Sequence, residues 1–221
     1  MTYLILGIIT LIGIHLLPAF VSIRDRLLDL FGRAFYSIVF CAVALVGLGL
    51  IIFGKYTTLQ IDVWDPPFLA TLVPVIVMPV VFILLVAAYL PTNIKLRVRH
   101  PMLLGVMFWS IAHLAINGDL ASIILFGSFG LYSVFAMWSA NRRGLQAHKR
   151  RSKPIKTPGQ YSDLDASARR YVSYSKLMQK HVLTDHRVSF FKDFAAIFLG
   201  LVAFTIVLFL HNTLFSVSMF H

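Results

Sequence analysis

Six stretches of the chain run almost free of charge, at residues 3–21, 36–53, 67–90, 101–117, 120–140 and 194–215. About 20 mostly apolar residues are needed to cross about 30 Å of hydrocarbon, and these six meet or approach that length. The pattern predicts an all-α, polytopic membrane bundle of about six transmembrane helices. The fourth stretch is the shortest and most polar, carrying Trp109, Ser110, His113 and Asn117. Only Gly118 and Asp119 separate it from the fifth, which predicts a tight helical hairpin. Pro74 and Pro79 predict a kink in the third. The first has its positive residues after the apolar run, the wrong order for a cleaved signal, and reads as an uncleaved first helix.

Composition supports a lipid solvent. Hydrophobic residues make up 58% of 221 positions and charged residues 13%, with a mean hydropathy of +0.81. A soluble domain carries about 25% charged residues. The apolar runs follow one another too closely for a separate soluble unit, so residues 1–221 read as a single membrane domain embedded in the lipid bilayer. The lone Cys41 lies inside an apolar run, where it reads as a small packed side chain with no intramolecular disulfide partner.

The 20 Lys and Arg give the runs an orientation. The first connection holds Arg24, Arg26 and Arg33, and the third holds Lys95, Arg97 and Arg99. The fifth, residues 141–193, holds most of the remainder. Of the other two connections, one holds Lys55 and the other no basic residue. Basic residues mark cytoplasmic loops, so the odd connections are expected inside and both termini outside. The basic loop 141–193 reads as a topology determinant resting on anionic headgroups. It has no aromatic interleaving or motif for nucleic acid, so no nucleic-acid partner is expected. Its second half, residues 162–191, repeats Leu164, Ala168, Tyr171, Tyr174 and Met178 at helical spacing, as a surface amphipathic helix would.

Ionisable groups inside a span are costly and point to function. His15, His113 and His211 qualify, and His100 opens the fourth span. His15 is three residues before Pro18. Pro101, Gly105, Trp109, His113 and Asn117 recur every four residues and trace one helical stripe. On it Gly105 allows close approach of a helix or a planar ligand, Trp109 supplies an aromatic wall, and His113 and Asn117 supply polar groups. His211 reads as interfacial. At about 1.5 Å per residue, depth leaves both a His15–His113 pair and a His15–His100 pair open. Two imidazoles on facing helices can ligate a haem iron. With no acidic residue inside any span, a carboxylate-rich metal site within the bilayer is excluded.

The pattern Gly13, His15, Pro18, Arg24, Gly32, Tyr36 resembles the start of the NnrU family. So does the run Arg99, His100, Pro101, Met102, Gly105, Trp109, His113, Asn117, Gly118, Asp119, which continues into LFGSFGLYSVFAMWSANRR. The resemblance implies a multi-pass protein of the bacterial inner membrane, tied to nitrogen-oxide respiration (denitrification), with a respiratory membrane complex as an expected partner. It also implies a link to zeta-carotene isomerase, a relative that binds haem b and isomerises a cis double bond. The isomerase's two haem ligands correspond to His15 and His113, so the resemblance implies haem b between the first and fourth spans, with Trp109, Gly105 and Asn117 beside it. A further histidine of the isomerase has no counterpart in IIFGKYTTL, so its redox-dependent ligand switching is not expected. The RHPM-G-W run also resembles isoprenylcysteine-type methyltransferases, but those need a later Glu and this chain has none. Three readings follow: a haem protein of membrane redox, a haem-dependent isomerase of a polyene lipid, or a haem-free accessory protein. Whether the chain is an enzyme stays open at this point.

Overall fold

The computed structural model describes residues 1–151 and 186–215. Among them the chain forms α1 (Thr2–Leu16), a 3₁₀ turn (Leu17–Ala19), α2 (Val21–Thr57), a second 3₁₀ turn (Phe68–Thr71), α3 (Leu72–Tyr89), α4 (Asn93–Arg97), α5 (Pro101–Ile116), α6 (Leu120–Arg151) and, after the basic loop, α7 (His186–Phe215). Five segments are long and apolar enough to cross a membrane: Thr2–Ala19, Val21–Thr57, Phe68–Tyr89, Leu120–Gly144 and Phe190–His211. The sixth expected span is α5, apolar but only 16 residues long. The protein is a multi-pass helical membrane protein. Large apolar side chains such as Ile38, Leu45, Ile76, Leu131 and Phe209 face outward, as they do where lipid is the solvent.

Two compact units divide the chain. The first joins Met1–Leu59 to Phe135–Lys180, and the second joins Gln60–Val134 to His181–His221.

In the first unit α1 and α2 form an antiparallel hairpin closed by glycines. A Cβ at Gly7 would stand 2.6 Å from the Ile51 nitrogen, and one at Gly47 would stand 2.9 Å from the Leu11 nitrogen. One at Gly54 would run into the Leu4 backbone. Small residues let membrane helices approach until backbones touch. Cys41, expected to pack, is instead exposed. It lies about a third of a turn from Gly47 on the helix, off the face that α1 covers.

Pro18 sits in the 3₁₀ turn that ends α1. Helix α2 then opens with an arm over residues 21–31, separated from the span by Gly32 at φ 77°. Only glycine reaches that left-handed region without strain. The arm carries Arg24, whose guanidinium pairs with Asp25 at 2.7 Å. The first basic connection is therefore helical rather than a loop.

In the second unit α3 packs against both α5 and α7. A Cβ at Gly200 of α7 would stand 2.7 Å from the Ile83 Cα. Val81, Leu84 and Ala87 of α3, Ala112 of α5, Ala121 and Leu125 of α6 and Ala196 of α7 are buried. Helix α3 runs unbroken through Pro79. Pro74 lies in its first turn, where the missing N–H has no helical partner to lose.

One polar tie joins elements of this unit, and side-chain caps close two of its helices. At the basic end, the Asp193 carboxylate accepts from the Asn93 backbone N–H at 2.7 Å and the Asn93 side-chain amide at 2.8 Å. Thr92 Oγ1 accepts from the Lys95 N–H, capping α4. At the other end, Asp119 is buried and its Oδ1 accepts from the Ser122 N–H at 2.9 Å, capping α6.

The surface helix expected over residues 162–191 lies outside the described residues, apart from its last few, which belong to α7.

Candidate functional site

His113 occupies the last turn of α5. Its Nδ1 lies 2.9 Å from the Trp109 carbonyl oxygen. A carbonyl only accepts, so Nδ1 carries a proton, and Nε2 is the basic nitrogen whenever the ring is neutral. Asn117 secures the helix end from below. Its backbone N–H and its side-chain amide both donate to the His113 carbonyl, at 3.0 and 2.8 Å.

Aromatic rings enclose this imidazole. Phe126 of α6 lies 4.6 Å away between centroids and Trp109 lies 5.0 Å away. Trp109 meets Phe126 edge-on at 5.0 Å and Phe129 edge-on at 5.7 Å. Such contacts fix ring orientation beyond what burial alone achieves. Trp109, His113 and Asn117 are therefore brought together, as their spacing predicts. Gly105 is elsewhere on the stripe, packed on α3, where a Cβ would stand 3.4 Å from Leu85 Cδ2 and 3.5 Å from the Val81 oxygen. Of its two expected uses, the structure displays approach to a helix.

Phe126 and Phe129 were absent from the residues singled out by sequence. Nothing polar marks them, and the residue equidistant with His113 from the turn at Gly118–Asp119 is Ile124, so spacing alone does not single out Phe126. Ser110, one turn before His113, is fully buried against Gly130 of α6, and its hydroxyl has no hydrogen-bond partner among the described residues.

The far end of α5 is held by a strap from the 60–66 segment. The Val63 and Trp64 N–H groups donate to the Gly118 carbonyl at 2.9 and 3.3 Å, and the Leu120 N–H donates to Ile61 at 2.8 Å. Asp62 and Asp119 form an antiparallel bridge. A Cβ at Gly118 would strike the Trp64 carbonyl.

His15 lies in the last turn of α1, in the first unit. Its Nδ1 is 2.8 Å from the Leu11 carbonyl oxygen, so the same reasoning places the proton on Nδ1. Phe40 of α2 meets its ring edge-on at 5.1 Å. Tyr36 stands 6.3 Å from Phe40, and its hydroxyl is buried with no hydrogen-bond partner among the described residues. A Cβ at Gly13 would meet nothing within 4 Å.

The remaining histidines differ. His100 is the N-cap of α5, and its carbonyl accepts from the Leu104 N–H at 2.9 Å. His211 lies on α7, in the same unit as His113. Among the described residues no three or more His, Cys, Asp or Glu gather closely enough to hold a metal ion.

No curated protein and no solved structure matches the chain. A family model does, over residues 3–219, and its description is NnrU protein.

Proposed function

The chain belongs to the NnrU family, and on that premise we propose that it binds haem b through His15 and His113 and serves membrane redox linked to nitrogen-oxide respiration in the bacterial inner membrane. The observation that carries this reading is a shared local device. Each imidazole donates Nδ1–H to the carbonyl four residues back. Metal-binding histidines are oriented in this way, with one ring nitrogen held by a backbone carbonyl and the other left basic for the metal.

The surroundings fit the same group. A haem asks only one or two imidazoles of the protein. Trp109, Phe126 and Phe129 present aromatic surface beside His113, and Phe40 does so beside His15. When bound, the haem would supply a one-electron iron centre within the bilayer. The chain's part is to hold the two ring nitrogens in the correct tautomer and to keep water from them. No feature favours the polyene isomerase, whose additional histidine is missing from the end of α2.

The test is a visible spectrum. Protein expressed with ample haem and purified in detergent is expected to show a Soret band that shifts on reduction. His15→Ala and His113→Ala should each abolish or shift it, while His211→Ala should retain it. A wild-type protein without the band overturns the cofactor, and unchanged spectra in both variants overturn the ligand assignment.

A further inference from the structure

Tyr36 holds a buried hydroxyl with no hydrogen-bond partner among the described residues. It sits four residues before Phe40, on the same face of α2, and Phe40 in turn contacts the His15 ring. The glycine contacts of the hairpin fix its register: Leu4 lies against Gly54, Gly7 against Ile51 and Leu11 against Gly47. Carried on, this register sets Phe40 level with Pro18 and Tyr36 nearer the basic end, three residues from Arg33. The phenol is thus one turn inside the span, on the side of His15 where positive charge collects.

A buried hydroxyl without a partner is costly to keep. Phenylalanine would fill nearly the same volume with none of that cost. The hydroxyl therefore fits a ligand rather than the fold. A phenol donates most strongly to an anion, and in a largely apolar group held beside His15 that anion would be a carboxylate.

We propose that the Tyr36 hydroxyl donates a hydrogen bond to a carboxylate of the group held at His15, which on the haem reading is a propionate. The inference rests on that reading and deepens it, making Tyr36 a binding residue that sets which way the macrocycle points.

The experiment titrates haem and haem dimethyl ester into detergent-solubilised apoprotein, wild type and Tyr36→Phe. Loss of one charge-assisted hydrogen bond weakens haem binding about tenfold in the variant. The ester, which has no carboxylate, is expected to bind both proteins alike. Without haem, Tyr36→Phe should melt at the same temperature as wild type or higher, because the orphan hydroxyl is gone. If wild type binds haem and the variant binds it equally well, Tyr36 is not the donor and the haem reading stands. Equal weakening toward haem and ester, or a lower apo melting temperature, makes the hydroxyl structural and overturns the proposal. A wild type that binds neither compound overturns both readings together.

Discussion

A side chain of moderate polarity inside lipid has few partners, and the nearest is the carbonyl one turn back. Thr10, Ser128, Ser133 and Thr205 all take it, donating to the residue four before them. His15 and His113 use the same bond through Nδ1, with a different result, because a second nitrogen remains on the ring. Ser110, like Tyr36, departs from this, buried with its hydroxyl unpartnered among the described residues. Ser110→Ala is therefore expected to leave stability unchanged or raise it by about 1 kcal/mol, measured as thermal unfolding in detergent. A loss of more than that would assign Ser110 a partner. At this scale the sequence was partly legible. Trp109 and His113 touch because they are four apart, which spacing alone announces. Phe40, Phe126 and Phe129 carry no such spacing, since an aromatic residue in an apolar run looks the same whether it faces lipid or an imidazole, and Tyr36 stands out only through the family pattern.

Helices were the most legible level, because the apolar runs are long and the helix is the only economical way to satisfy their backbone in lipid. Two features escaped. The arm over residues 21–31 reads as a basic connection, since Arg24, Asp25, Arg26 and Asp29 mask its helical character until Gly32 is seen at positive φ. The strap reads as a loop, since a bridge of one residue pair has no period to detect. The turn at Gly118–Asp119 was legible, but not the reason for its glycine, which is the Trp64 carbonyl. Gly118→Ala is expected to cost about 1–3 kcal/mol through overpacking. Asp119→Ala is expected to cost about 1 kcal/mol through loss of the α6 cap. Thermal unfolding of the two variants checks both, and a neutral Gly118→Ala would mean that the strap is not closed in the membrane.

For the whole molecule, the distribution of Lys and Arg makes the strongest prediction. In a Cys41→Ser background, Asp62→Cys should react with a membrane-impermeant maleimide on intact spheroplasts, and Arg97→Cys only after lysis. Both positions are exposed, so the difference reports the side of the membrane. The reverse result would invert the topology and with it the side of the membrane nearest Tyr36.

The shortness of α5 has a consequence of its own. At about 24 Å it leaves about 6 Å of an average hydrocarbon layer unspanned. Such a shortfall, a hydrophobic mismatch, is met by a thinner bilayer or by other chain filling the leaflet. The strap answers it. Its N–H groups at Val63 and Trp64, and that of Leu120, are all bonded to carbonyls of the same small knot, so backbone that is not helical can sink below the headgroups without exposing bare amides to lipid. On that count His113, in the last turn of α5, would stand nearer the aqueous surface at the strap than a full-length span would place it.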